Sequence, residues 1–423
     1  MHVLPQLREL EERFARELTV VGVHSGKFIT ERETARVAEA AKRLGVEHPV
    51  VNDRQFRVWR SYAVRAWPTI VVIDPRGYVL GMHAGEFTTE MIADALEPLI
   101  ANAGEALVRG APHETASEPA RSRESLRYPG KVALDGDRLA IADSGNHRVI
   151  VATLESTTRA RVTRVVGSKR GFRDGAEGLF DTPQGLCFDG DTLFVADAEN
   201  HALRAIDLRS GDVRTVAGTG SQLRTRADMA AGALSSPWDV ALRGDELVIA
   251  MSGNHRLYTA RKDGGSRPFA GSGAEDIADG PLLEAPLAQP MGIAVSGDRV
   301  WFADAESSAI RWADDREVGT VVGTGLFDFG DADGSGDAVR LQHAQGLAVH
   351  PDGRLLVADS YNDALKWIDP ATRTATTWLR GFDEPGGVAI GDGAVYVADT
   401  NTHRIVIADV ATGSIAALEL IWR

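Results

Sequence analysis

The stretch PQGLCFDGDTLFVADAENHALRAID, residues 183–207, holds three short apolar runs. A Gly-Asp turn separates the first two runs, and the second ends in Ala-Asp. Apolar runs of this length bounded by Gly and Asp are typical of strands joined by hairpin turns. Five further copies begin at residues 129, 237, 290, 345 and 385. Self-similarity at a spacing of about 50 residues indicates a repeat architecture.

Each copy is followed by a fourth apolar run, such as VRTVAG at 213–218, so one unit supplies four strands. Four-stranded units repeated around an axis protect their strand edges, which is the arrangement of a β-propeller. The six units predict an all-β, six-bladed propeller over residues 124–423. We expect one closed ring, in which the last strand, SIAALELI at 414–421, pairs with the stretch ESLRYPG at 124–130.

The repeat resembles the NHL repeat, which is named after an Asn-His-Leu-like stretch. The matching tripeptides are Asn146-His147-Arg148, Asn200-His201-Ala202 and Asn254-His255-Arg256. The fourth and fifth copies depart from it with Ser307-Ser308 and Asn362-Asp363, and the sixth has Asn401-Thr402-His403. The resemblance implies the propeller fold and says little about a ligand.

Residues 1–103 alternate helical and strand patterns, which is typical of an α/β domain with a buried sheet. Helices are expected near 4–18 and 30–45, with Thr30 and Glu33 as a capping box and Gly45 as the stop. The stretch RAWPTIVVIDPRGYVLGMHAGEF, 65–87, has a Trp-Pro-Thr turn before two strands. This part resembles a thioredoxin-like domain, in which Trp67, Pro68 and Thr69 would form the cis-proline loop.

The redox members of that fold use a Cys-x-x-Cys pair, whereas the only cysteine of this chain is Cys187. The resemblance implies that the chain begins inside the helix that follows the pair, so the domain is N-terminally incomplete and lacks its first core strand. Either the sequence starts late or the domain has lost its catalytic edge. We expect an empty slot between strands at 19–23 and 69–73, or direct pairing of those two strands.

A thioredoxin-like domain followed by NHL repeats resembles the NHL-repeat-containing protein 2 type of family, which implies a redox-related or scaffold role. Residues 104–123 are polar and aperiodic and are interpreted as a linker. The formal net charge of −14 argues against a nucleic-acid partner. No stretch reaches the roughly 18 apolar residues of a membrane span. The single cysteine fits a reducing compartment, so a cytoplasmic location is expected.

The residues that recur on one face of the propeller are the candidate site. Loops on a rigid scaffold are where binding usually occurs, and the long connections between blades leave from the same face. The recurring aspartates could ring the channel mouth or could accept hydrogen bonds within their own turns. The recurring histidines could gather a metal or could belong to the repeat alone. The candidates are Asp143, Asn146, His147, Asp197, Asn200, His201, Asn254, His255, Asp304, Asp359, Asn362, Asp399 and His403.

A weak calcium-loop candidate lies at 331–337, where Asp331, Asp333, Ser335 and Asp337 have suitable spacing. Position twelve of that loop would be Gln342 instead of the usual glutamate, and an inter-blade turn explains the same residues. Cys187 lies in an apolar strand and is expected to be a buried structural residue. No catalytic residue, resident metal or cofactor is assigned.

The sequence is compatible with three functions. The leading hypothesis is a binding and scaffold protein that recognises an unknown protein or small ligand on the loop-rich propeller face. The second is a thiol–disulfide oxidoreductase whose Cys-x-x-Cys lies upstream of Met1. The third is a propeller hydrolase or lyase.

Overall fold

The chain forms two compact units, residues 1–121 and 122–423, in a computed structural model. The structure describes residues 2–104, 107–108, 110 and 122–422. Most of the linker predicted at 104–123 therefore lies outside the described residues. No helix in the described part of the chain is long and apolar enough to cross a membrane.

Unit one is an α/β domain, as predicted, but the expected buried sheet is wrong, because every residue of its four strands is exposed or half-buried. Its α-helices are Val3–Arg13, Thr34–Arg43, Arg57–Ser61 and Thr89–Asn102, and a 3₁₀ turn spans Thr30–Arg32. Its strands are Gly22–His24, Val50–Asn52, Thr69–Ile73 and Val79–Ala84. Leu10 and Phe14 pack against Ile92 and Leu96, so the first and last of these helices share a core. The Trp67–Pro68 peptide bond is cis, in agreement with the expectation.

The capping box predicted at Thr30 and Glu33 is wrong. Glu33 is itself the N-cap of the helix that begins at Thr34, and it makes no side-chain cap. Glu31 accepts a hydrogen bond from the Phe28 backbone N–H at 3.0 Å, so the 3₁₀ turn has its own acidic partner. Gly45 ends the helix as expected, with a left-handed φ of 62° that glycine adopts without strain.

The strands of unit one form two separate two-stranded sheets. Gly22–His24 pairs in parallel with Val50–Asn52, and Thr69–Ile73 pairs antiparallel with Val79–Ala84. No described strand joins the two sheets. Direct pairing of these two strands, the second of the two expected outcomes, is therefore not seen. The first strand begins at Gly22 instead of residue 19.

Unit two is a six-bladed β-propeller, as predicted. The innermost strands are Pro129–Asp135, Pro183–Asp189, Pro237–Arg243, Pro290–Ser296, Gly346–Val349 and Pro385–Ile390. The second strands are Arg138–Asp143, Thr192–Asp197, Glu246–Met251, Arg299–Asp304, Leu355–Asp359 and Ala394–Asp399. The third strands are Arg148–Ser156, Ala202–Asp207, Arg256–Arg261, Ala309–Ala313, Ala364–Asp369 and Arg404–Asp409. The fourth strands are Arg159–Val166, Val213–Ala217, Ser266–Ala270, Glu317–Val322, Thr374–Arg380 and Ile415–Ala417.

Short elements in the connections extend two of these blades. Gly280–Pro281 and Gly334–Ser335 pair with the fourth strands of blades 4 and 5. A five-residue helix, Arg226–Ala230, lies in the connection between blades 2 and 3. Its N-cap Thr225 and Asp228 form a reciprocal capping box.

The ring is closed, but by a different pairing from the one predicted. The inner strand of each blade lies beside that of the next, and Pro385–Ile390 lies beside Pro129–Asp135. The stretch SIAALELI does not form one strand: Ile415–Ala417 ends blade 6, and Glu419–Ile421 pairs in parallel with the outer strand of blade 1. The residues from Pro129 onward instead begin the inner strand of blade 1. The C-terminus therefore closes the ring at its rim.

Candidate functional site

The recurring aspartates are buried anchors for the connection that leads into each blade. All five are 0% exposed. In each, one carboxylate oxygen accepts a backbone N–H from a residue sixteen or seventeen positions earlier, at 2.6 to 2.8 Å. The five pairs are Asp143 with Arg127, Asp197 with Asp181, Asp304 with Ala288, Asp359 with Gln342 and Asp399 with Asp383.

The second carboxylate oxygen of these aspartates is also occupied. Asp143 Oδ2 accepts from Asn146 at 2.9 Å and from Arg148 at 2.6 Å. Asp197 Oδ2 accepts in the same way from Asn200 and from the buried Arg204, each at 2.8 Å. Burial raises the pKa of Asp197 to about 7, although these donors act in the opposite direction. The structure places this set inside the blade turns and not at an accessible channel mouth.

Three of the four recurring histidines join one blade to the next. His147, His201 and His403 accept at Nδ1 from the backbone N–H of Thr182, Ser236 and Tyr128, at 3.1 to 3.2 Å. Each donor is the residue before the proline that opens the next blade. Ser308 and Asp363 replace histidine in blades 4 and 5. Their side chains accept the backbone N–H groups of His343 and Glu384, at 3.1 and 3.0 Å. Because the ring nitrogens contact successive blades, the structure does not bring the histidines together.

Blade 3 lacks this polar network because Met251 stands where the other blades have aspartate. Ser235 donates its backbone N–H to Met251 Sδ at 3.3 Å. Five buried atoms around this turn have no hydrogen-bond partner: Ser235 Oγ, Asn254 Oδ1, His255 Nδ1, Arg256 Nε and Thr259 Oγ1. The candidates Asn254 and His255 therefore lie in the one blade whose turn is not anchored by a carboxylate.

The calcium-loop candidate surrounds a lysine. Lys366 Nζ lies 2.7 Å from Asp331 and 3.2 Å from Asp333, and 3.7 Å from Asp359. Burial lowers the pKa of Lys366, but these carboxylates outweigh that effect and raise it. Asp337 pairs instead with Arg373 at 3.0 Å, and Ser335 donates to the Thr372 carbonyl at 3.5 Å. Among the described residues, no group of three His, Cys, Asp or Glu side chains could hold a metal ion.

The six inner strands line an axial cavity of about 510 Å³. Lys131 of blade 1 and Asp239 of blade 3 lie at one end of it, with Lys131 Nζ 3.2 Å from Asp239 Oδ2. Lys131 also donates to the Gln345 carbonyl of blade 5, and Asp239 accepts from the Ile293 N–H of blade 4 at 3.1 Å. Burial lowers the pKa of Lys131, and Asp239 acts in the opposite direction. The pair therefore ties four blades together on the axis.

Sequence reasoning missed this pair, although the repeats carry the signal. Lys131 and Asp239 align with a glycine in each of the other four copies, namely Gly185, Gly292, Gly346 and Gly387. A Cβ at Gly387 would lie 2.8 Å from Lys131 Cδ, and a Cβ at Gly185 would lie 2.5 Å from Asp239 Oδ1. The glycines thus leave the space that the two charged side chains fill.

Because Cys187 lines the same cavity from blade 2, it is half-buried and not fully buried as predicted. Burial raises the pKa of its thiol to about 12, and the Asp239 and Asp189 carboxylates add to that shift. Because the thiolate is the nucleophile, a thiol of this kind is a poor one at neutral pH.

The cis-proline loop of unit one carries an aromatic cluster. The ring centroids of Trp59 and Trp67 lie 4.5 Å apart, and Phe56 lies edge-on to both at 5.7 and 6.4 Å. Trp67 Nε1 donates to the Ser25 carbonyl at 2.8 Å, yet Trp67 is 48% exposed. Thr69 Oγ1 donates to the Ala66 carbonyl at 2.7 Å, which fixes the loop ahead of the strand.

Four consecutive connections between blades expose a large apolar side chain. These connections, 167–182, 218–236, 271–289 and 323–345, leave from the face that carries the Asp and His turns. Phe172, Met229, Leu283 and Phe327 are 42% to 68% exposed. Isolated exposed apolar side chains are ordinary, whereas a set placed on successive loops of one face favours a binding surface.

Comparison with known proteins agrees with this architecture. A thioredoxin-like family matches residues 1–79, and the NHL repeat family matches residues 126–151 and 382–408. The chain is therefore a protein that joins a thioredoxin-like domain to an NHL-repeat β-propeller.

Among curated proteins, the chain resembles human NHL repeat-containing protein 2, to which it is 34% identical. That match covers 99% of this chain and 66% of the human protein. Protein SUPPRESSOR OF QUENCHING 1, chloroplastic, from Arabidopsis thaliana is 36% identical, over 99% of this chain and 44% of its own length. The chain thus spans about two thirds of the first relative and less than half of the second. In a solved nidogen/laminin complex, one chain matches 65% of this chain and 90% of itself, at 16% identity and a TM-score of 0.48.

Proposed function

We propose that the protein is a binding and scaffold protein whose propeller holds a partner protein on the face that carries the inter-blade connections. The observation that supports this most directly is the exposure of Phe172, Met229, Leu283 and Phe327 on four consecutive connections of that face. Large apolar side chains dominate the energy of protein interfaces when they become buried there.

The arrangement of the repeat residues supports the same proposal. The five recurring aspartates and three of the four recurring histidines are engaged in holding turns and blades together. A scaffold fixed in this way presents its connecting loops with little conformational freedom, which lowers the entropy lost on binding. The proposed partner is a protein, with a small ligand as the alternative and no nucleic acid, and the proposed location is the cytoplasm.

The test compares two variants of the full chain by quantitative affinity purification. The first variant replaces Met229, Leu283 and Phe327 with serine; Phe172 is left unchanged because the Arg204 guanidinium lies 4.6 Å from its ring centroid. The matched control replaces Val165 and Ile415 with serine as well. Both are exposed apolar residues, and they lie on the outer strands of blades 1 and 6.

We expect proteins that are retained by the wild-type chain and by the outer-strand control to be lost with the loop variant. Direct binding of one such protein to the purified chain should then weaken by tenfold or more in the loop variant. Equal retention by all three chains would overturn the proposal.

A further inference from the structure

A second surface, on unit one, carries positive charge, whereas the protein as a whole is acidic. Residues 54–67 contain four arginines and no Asp or Glu, in a chain whose formal net charge is −14. Arg54, Arg57, Arg60 and Arg65 are all exposed. None of them forms an ion pair with a described carboxylate, and Arg60 donates only to the Gln55 carbonyl, at 2.9 Å.

The nearest carboxylate in sequence does not neutralise these arginines at the surface. Asp53 is buried, and its oxygens accept the backbone N–H groups of Arg57, Val58 and Trp59 at 2.7 to 3.2 Å. Burial raises the pKa of Asp53, but these hydrogen bonds outweigh it and hold the pKa below its usual value. The carboxylate thus fixes the short helix Arg57–Ser61 and points away from solvent. Arg57 and Arg60 lie three residues apart on this helix and share one of its faces.

The same segment, residues 54–67, supplies the three rings of a rigid aromatic cluster, Phe56, Trp59 and Trp67. Trp67 is held by its hydrogen bond to Ser25 and by its contact with Trp59, so its exposed part has little freedom to lose on binding. Two residues of this segment, Phe56 and Ala63, have left-handed backbone conformations with φ of 56° and 53°. Such conformations are costly for these residue types and persist where the surrounding structure imposes them.

We propose that this arginine–tryptophan surface, formed by Arg54, Arg57, Arg60, Arg65 and Trp67, binds an acidic peptide segment of a partner protein. Guanidinium groups pair with carboxylates through two parallel N–H···O bonds, which gives both strength and direction. Trp67 offers a fixed apolar contact for one side chain of that segment. This proposal concerns unit one and does not rest on the loop surface of the propeller.

An acidic peptide fits the surface better than a nucleic acid does. A long polyanion would be repelled by the bulk charge of the protein, whereas a short acidic segment meets only the local arginines. Stacking of bases requires open aromatic faces, and Trp59 and Trp67 pack against each other at 4.5 Å.

The test measures binding of a fluorescein-labelled twelve-residue peptide of Glu-Glu-Leu repeats to the full chain by fluorescence anisotropy. The variant reverses Arg57 and Arg60 to glutamate. The matched control reverses Arg16 and Lys42, two exposed cations of the same unit, so the net charge changes equally. Melting temperatures of the three chains should agree, because all four positions are exposed or partly exposed.

We expect the patch variant to weaken binding at least tenfold and the control to change it less than twofold. Affinity should fall as salt concentration rises, and a Gln-Gln-Leu peptide should bind at least tenfold more weakly than the acidic one. Equal weakening by the two double variants would show that only net charge matters and would overturn the proposal. Tighter binding of a twelve-nucleotide oligouridine than of the acidic peptide would overturn it in favour of a nucleic-acid site.

Discussion

Lys131 Nζ and Asp239 Oδ2 lie 3.2 Å apart and join blade 1 to blade 3 at the axis of the propeller. Both residues are buried, so removal of either side chain leaves the other charge without its ion-pair partner. Substitution of the two residues therefore tests whether the ion pair stabilises the axis of the ring or whether apolar packing alone does so.

Replacing Lys131 with methionine should destabilise the propeller by about 3–5 kcal/mol, because Asp239 would remain as a buried, uncompensated carboxylate. The double variant K131M/D239L should be more stable than the sum of the two single changes implies, by about 1–3 kcal/mol. Urea unfolding of the four chains of this double-mutant cycle measures the coupling. Additive single effects would show that the two charges do not stabilise each other.

Replacing Met251 with aspartate should stabilise blade 3. In blade 1 the equivalent Asp143 accepts from Arg127 N–H, Asn146 and Arg148. In blade 3 the Ser235 N–H has only Met251 Sδ as its acceptor, and the buried Arg256 Nε has no partner. The new carboxylate would be desolvated, but several donors would compensate it, so a net gain of about 1 kcal/mol is expected.

The control for this prediction is Met251→Leu, which preserves an apolar side chain and offers no acceptor. It should leave the thermal midpoint of the propeller unchanged or slightly lower. If Met251→Asp is less stable than Met251→Leu, the missing carboxylate is not the cause of the unpaired atoms in blade 3.

The sequence allowed the fold to be predicted, because each of the six copies repeats the same hairpin signals. It did not allow the closure to be predicted. SIAALELI has the composition of one strand, yet Leu418 separates two short strands that pair with different blades, and composition carries no information about the pairing partner.

The candidate site shows a similar limit. Asp143 and His147 recur with the repeat, and spacing alone cannot separate a buried anchor from an accessible ligand. Hydrogen-bond partners on other segments, such as Arg127 and Thr182, decide that question. Lys131 and Asp239 are the reverse case. They depart from the glycine of the other copies, so a comparison between copies could have found them.

The hydrogen bond between His403 and Tyr128 should stabilise the closed ring. His403 Nδ1 accepts the Tyr128 N–H at 3.1 Å, and this contact joins the last blade to the first. His403→Ala would leave a buried N–H without its acceptor, at a cost of about 1–3 kcal/mol. Thermal unfolding of the propeller should show the loss.

His255 provides the matched control, since it occupies the same position in blade 3 and its Nδ1 has no partner. Both histidines have left-handed backbones, with φ of 58° and 55°, so alanine introduces the same strain at each. His403→Ala should be less stable than His255→Ala by about 1 kcal/mol or more. Equal losses would mean that the inter-blade hydrogen bond makes no net contribution.

Cys187 should resist alkylation in the folded protein. Its pKa is raised to about 12 by burial, so the thiol stays protonated at every pH below that value. At pH 8 the thiolate fraction is about a thousandfold smaller than for a thiol of ordinary pKa, and iodoacetamide should label the native chain more slowly by a factor of that order. The labelling rate, followed by intact-mass spectrometry, should rise about tenfold per pH unit up to the pH at which the chain unfolds.

The same chain in urea should react at the ordinary rate, and Cys187→Ala should take up no label because the chain has no other cysteine. Rapid labelling of the native protein at pH 8 would show that the cavity wall does not keep the thiol protonated.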